Sequence, residues 1–192
     1  MKLIHMIASS LLALVACGAT AKEPAAHQHG VAKLQVAVDG KMIEISLESP
    51  LDNFVGFERG PRNDKERQAV RAMALRFHDA ASLFVPTPEA ACTPRETELS
   101  SAVIDPGLLA AGPSPAPERK PVPAPAAATA SGGHADLDAT MRFQCDNVAA
   151  LKGLDVRLFK AFSGLRRIDA SVVSSRGQRG AKLTAGQSVL TW

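Results

Sequence analysis

An α+β fold, mainly antiparallel sheet with one main α-helix over about residues 63–84, follows from three observations on the 192-residue chain. Several short segments alternate apolar and polar residues with a period of two. One longer segment repeats apolar residues at helical spacing. Between them, residues 112–133 follow neither pattern and hold six prolines and six alanines, the composition of a disordered Pro/Ala-rich internal linker.

The first residues are set aside before the fold is considered. Lys2 supplies a short positive region, Leu3–Ala16 is mostly apolar, and small residues follow, which is the pattern of a secretory signal peptide over residues 1–21. The apolar stretch is too short to cross a bilayer of about 30 Å as a helix. Two processing sites compete. Ala19-Thr20-Ala21 is a small-x-small cleavage site, toward which the balance leans slightly. Leu14-Val15-Ala16-Cys17 resembles a lipobox, in which Cys17 would be acylated and become the mature N-terminus. The expected mature chain, residues 22–192, suits one domain interrupted by the linker.

The first strand is VAKLQVAV (31–38), with Ala32, Leu34, Val36 and Val38 on one face and Lys33 and Gln35 on the other. Asp39-Gly40 signals a two-residue type I′ turn, and KMIEISLES follows as a strand burying Ile43, Ile45 and Leu47. Pro50 ends that strand and opens a Gly/Asn/Pro-rich loop. The helix begins near Asn63, with Glu66 at capping-box spacing and Asp64 and Glu66 complementing its dipole. Val70, Met73, Phe77, Ala81 and Phe84 mark its apolar face, and Pro86 and Pro88 bound it. Residues 92–105 read as a further strand. After the linker, HADLDATMRFQC (134–145) alternates almost without fault, with Ala135, Leu137, Ala139, Met141, Phe143 and Cys145 on one face. VRLFKAF and RRIDASVVSS are additional apolar segments, Gly177 and Gly180 mark a turn, and AKLT and SVLTW read as terminal strands. GVAKLQV (30–36) and GHADLDA (133–139) share Gly, Ala and Leu in register, a faint echo of two related strand units.

Charge and composition exclude several functions. The formal charge of +3 falls to +2 once Lys2 is removed, and with no Tyr and one Trp there is neither a basic field nor a stacking platform for nucleic acid. His78, Asp79 and Ser82 are neighbours on the helix, the wrong geometry for a nucleophile–base relay. Glu44 and Glu48 on one strand face lack a cleft. No HExxH, GxGxxG, GxSxG or P-loop occurs. No enzyme is expected.

Removal of Cys17, or its acylation, leaves Cys92 and Cys145. Export and an even pair favour one disulfide over a metal site, for which no CxxC-type pair is present. Metal-binding chemistry rests on histidine. His27 and His29 at i, i+2 point to one side of an extended chain and could share a zinc ion, which a third His or a carboxylate would complete. His134-x-Asp136-x-Asp138 offers one nitrogen and two oxygen donors on one strand face, and the two donor groups converge if the two strand starts lie side by side. Taken alone, each pattern is more often a solvated strand end. His78 reads as a surface or boundary residue, and Met42, Met73 and Met141 as core filler.

The stretch HGVAKLQVAVDGKMIEISLESPLDNFVGFERGPRNDKE, followed by HADLDATMRFQC, LDVRLFKAFSGLRRIDASVV and GAKLTAGQSVLTW, resembles the ZrgA-type family of zinc-regulated periplasmic proteins of Gram-negative bacteria. The resemblance covers most of the chain outside the linker. It implies a periplasmic zinc-binding accessory protein that works with a zinc ABC importer or a periplasmic zinc-binding protein. Mapped onto this sequence, the family's HxHG falls on His27, His29 and Gly30, its post-linker histidine on His134, and its disulfide on Cys92 and Cys145. The chain departs from the pattern in three places. Its linker lacks histidines, Arg59 stands where the family often has histidine, and Phe162-Ser163-Gly164 replaces Phe-Pro-Gly. The expected ligands are therefore His27, His29 and His134, with Asp136 as carboxylate. The rival expectation is an envelope interaction module without metal, membrane-bound only if lipid-anchored at Cys17.

Overall fold

The computed structural model describes residues 28–111 and 135–192. The expected signal segment with Cys17, together with His27, the Pro/Ala-rich linker and His134, lies outside the described residues. Two sheets and a principal helix make up the described part, an α+β architecture dominated by antiparallel pairing.

The hairpin forms where alternation predicts it. Strand β1 (Val31–Asp39) pairs antiparallel with β2 (Met42–Pro50), with Val36 opposite Ile45 and Asp39 opposite Met42. The turn is one residue later than expected. Gly40 and Lys41 form the loop, and only Gly40 has positive φ (53°), the dihedral pattern of a type II′ rather than a type I′ turn. Ala32, Leu34, Val36, Ile43, Ile45 and Leu47 are buried, whereas Met42 lies exposed at the hairpin end rather than in the core.

After Pro50 the chain makes a one-turn helix, α1 (Asp52–Val55), and then the principal helix α2 (Asp64–His78). Asn63 caps α2 by accepting the Glu66 backbone N–H at 2.9 Å. The reciprocal half of the capping box is redirected, because the Glu66 carboxylate takes the Arg62 N–H (2.7 Å) and the Arg59 guanidinium (2.7 and 3.0 Å). Val70, Met73, Ala74 and Phe77 form the buried stripe. The helix does not run to residue 84. Asp79 breaks it, a short helix α3 (Ala80–Leu83) follows, and Phe84 belongs to strand β3 (Phe84–Pro86). Ala81 is consequently exposed and Ala80 takes the core position.

Strand β4 (Cys92–Ser100) ends earlier than the 92–105 expectation, and a one-turn helix α4 (Pro106–Leu109) follows. Strand β5 (Asp136–Cys145) buries Leu137, Ala139, Met141, Phe143 and Cys145, the face that its alternation marks. The remaining elements are β6 (Gly153–Val156), α5 (Leu158–Ala161), β7 (Arg167–Ser174), β8 (Gly177–Leu183) and β9 (Val189–Thr191). Gly177 opens β8 at the turn, whereas Gly180 lies within that strand.

The large sheet has the order β4-β5-β2-β1-β7-β8, and the small one β3-β6-β9. One pair in the large sheet departs from antiparallel: β7 lies parallel to β1, with Val31 opposite Arg167. Since β1 and β5 flank β2 and both oppose it, they run in the same direction and start at the same end of the sheet. They are not neighbours, as the sequence echo suggested, because the end of β2 stands between them. Two inter-strand steps separate them by about 10 Å. Among the described residues no helix is long and apolar enough to cross a membrane.

Candidate metal centre at the start of the first strand

His29 occupies the turn that feeds β1, in which the Val31 N–H donates to the Gln28 carbonyl at 3.0 Å. Its neighbour Gly30 has φ 80°, a left-handed conformation that an L side chain resists. Asn53, 2% exposed, fixes this turn. Its side-chain carbonyl accepts the Gly30 N–H at 2.6 Å, and its amide donates to the Val31 carbonyl (3.1 Å) and to Ser49 Oγ (2.9 Å). From the other side, the Gly30 carbonyl accepts the N–H groups of Arg166 (2.8 Å) and Arg167 (2.9 Å). Every polar group of the turn that meets Asn53 or the 166–167 segment is satisfied, so the backbone beneath His29 has a defined place.

The helix that carries Asn53 also carries Asp52, and it is anchored through Phe54. The Phe54 ring meets Phe77 edge-on at 5.3 Å and Phe162 at 4.9 Å, linking α1 to α2 and to the segment after α5. Gly164 lies so close to α1 that an added Cβ would stand 2.4 Å from the Asn53 carbonyl oxygen. With Asn53 and Phe54 fixed, Asp52 Oδ2 lies 3.0 Å from His29 Nδ1. The chain then turns through Gly56 and brings Glu58 Oε1 to 3.4 Å from His29 Nε2. The imidazole is two-thirds exposed (67%), with one carboxylate on each nitrogen.

The other expected ligands are distributed as follows. Asp136 begins β5 opposite Pro50, and the Leu51 N–H donates to the Ala135 carbonyl at 2.8 Å, so β5 starts beside the residue that precedes Asp52. Asp138 stands in a row with Glu48 and Lys33 across β5, β2 and β1, where Lys33 donates to Glu48 at 2.8 Å. Burial, with the nearby Glu48 charge as a second cause, pushes the Asp138 carboxyl above its usual range. His78 has a structural task, with Nε2 2.7 Å from the Leu109 carbonyl, joining α2 to α4. Arg59 is held by Glu66 and stacks over Phe57 at 5.0 Å. Glu44 is paired with Arg142 (2.9 Å), which also holds Glu96 (2.6 Å). At the far end of β5, Cys145 lies directly opposite Cys92 of β4 and the two form a disulfide.

Among the described residues no three His, Cys, Asp or Glu side chains converge on one point that could hold a metal ion. The His29 corner explains why: its two carboxylates address opposite nitrogens. Asp52 and Glu58 escaped the sequence reading. Both lie in SPLDNFVGFERG, but neither composition nor spacing tells that this loop folds back on residue 29.

Comparison with known proteins adds one match. The model of a family described as ZrgA family zinc uptake protein matches residues 26–192. No curated protein matches the chain.

Proposed function

This chain belongs to the ZrgA family of zinc uptake proteins, and on that premise we propose that it is a periplasmic zinc-binding accessory protein that passes zinc toward an ABC importer or its binding protein. Zinc is cargo here, not a resident cofactor. The proposed ligands are His27, His29 and His134, with Asp136 as a carboxylate donor. The observation that supports this reading most is the position of His29. It is exposed, on a backbone fixed by Asn53, at the sheet end where β5 also starts and between acidic side chains that favour a cation. Capture requires neutral imidazole, so binding weakens as the solution is made acidic.

The test is metal analysis of mature protein purified without a His-tag, followed by zinc titration of His27→Ala/His29→Ala protein. Stoichiometric zinc that survives dialysis, lost in the double variant, supports the proposal. Wild-type protein that takes up no zinc from zinc-replete buffer would sink it in favour of a metal-free envelope interaction module. Unchanged affinity in the double variant removes these two histidines from the site.

A further inference from the structure

We propose that Asp52 and Glu58 divide the two nitrogens of His29 between them: Asp52 holds Nδ1–H as a positioning residue, and Glu58 shares a zinc ion with Nε2 as a ligand. This deepens the zinc-binding reading and rests on it.

The two carboxylate contacts differ in a way that assigns the roles. Asp52 Oδ2 lies 3.0 Å from Nδ1, a normal hydrogen-bond length. Glu58 Oε1 lies 3.4 Å from Nε2, within ion-pair distance but longer than a good hydrogen bond. A tetrahedral zinc ion with nitrogen and oxygen ligands at about 2.0–2.2 Å holds those two donor atoms about 3.3–3.5 Å apart. The Glu58–His29 separation therefore matches the span across a shared ion. The Asp52 contact matches the carboxylate–histidine–zinc arrangement, in which the nitrogen facing away from the metal donates to an acid. That bond fixes the tautomer and raises the basicity of the ligating nitrogen.

The supports of each side chain are independent of metal. Asn53 fixes the His29 backbone, the Phe54 contacts fix α1 and with it Asp52, and Gly56 turns the chain to present Glu58. Asp52 and Glu58 are 34% and 29% exposed, partly shielded from water, while the ring itself is open to an arriving ion. His29 and Glu58 supply two of the donors, and the remaining coordination positions fall to the other ligands proposed above.

The experiment uses tag-free mature protein, zinc competition against a chromophoric chelator, and 15N NMR of the His29 ring in the zinc-free state. The expected wild-type spectrum shows the proton on Nδ1 at neutral pH. Glu58→Gln should weaken zinc binding at least 10-fold without changing that tautomer. Asp52→Ala should weaken it by about 10–100-fold, the range for loss of such an outer partner, and shift the ring toward the Nε2–H form. Both variants should keep the wild-type unfolding midpoint, which separates a ligand defect from a folding defect. Wild-type protein that binds no zinc overturns this inference together with the zinc-binding reading. Zinc binding that survives in both variants, or a tautomer unmoved by Asp52→Ala, overturns the division of roles alone and leaves that reading standing.

Discussion

The two ends of β5 are built on opposite principles. At one end Cys145 is covalently tied to Cys92, in the register where the two strands face each other. At the other, about 30 Å away along a ten-residue strand, the corner that carries His29 is held by hydrogen bonds from Asn53 and by three phenylalanine rings. The covalent end carries ionisable side chains such as Asp146 and Arg95 on its surface, but no histidine among them. The non-covalent end presents an imidazole between two acids. The cross-link thus lies at the end where no metal chemistry is proposed, and the His29 corner relies on non-covalent contacts beneath its paired charges.

The largest effect expected from testing this division is on the covalent end. The Cys92–Cys145 bridge spans 53 positions, and in the chain-entropy model such a loop stabilises by about 4 kcal/mol. Cys92→Ala/Cys145→Ala should lower the urea midpoint accordingly, yet leave zinc affinity unchanged under conditions where the variant remains folded. A parallel loss of affinity would show that the two ends are coupled. Next comes Asn53→Ala, which strands the Gly30 N–H and the Val31 carbonyl and should cost about 2–3 kcal/mol. Unlike the cysteine change, it should also weaken zinc binding, because the backbone of His29 loses its fixed place. Gly164→Ala presses on the same residue from outside and should act in the same direction.

The smallest expected effect is confined to acid and to α2. Bonds from Arg59, and then from the Arg62 N–H, lower the Glu66 carboxyl from an ordinary 4.5 to about 2. The unfolded chain thus binds a proton that the folded chain refuses across that interval. The contribution of Glu66 is complete above about 4.5 and fades as pH drops toward 2. Melting temperatures of Glu66→Gln should accordingly converge on those of wild type between pH 4.5 and 2 and lie below them near neutrality. A constant difference down to pH 2 would assign the role of Glu66 to packing.

The legible parts of this fold were those in which one local pattern decides. Alternation located the hairpin and β5 because each strand has one buried face, and Asn63 capped α2 as its residue type and the spacing to Glu66 suggested. The sequence reading overran where tertiary packing competed with period. Phe84 lies at helical spacing from Phe77, but pairing with Val156 draws it into a strand, and Asp79 takes up the break. The site divided along the same line. The His27-x-His29 spacing and the family resemblance put His29 forward as a candidate, whereas Asp52 and Glu58 reach it through a loop that Asn53 locks onto Gly30 across 23 positions. The parallel placement of β7 had no local signal at all, since a strand's own residues do not name the direction of its neighbour.

That parallel pairing has a consequence for how the chain acquires its structure. The edge of β1 that faces away from β2 remains uncovered until Arg167–Ser174 arrives, so the strand beside His29 is completed only by the last quarter of the polypeptide. Such a long-range closure makes folding slow relative to formation of the hairpin. Until it closes, the hairpin offers unpaired N–H and C=O groups to any other extended chain. A chain truncated before residue 167 should therefore aggregate through β1 rather than persist as a soluble fragment.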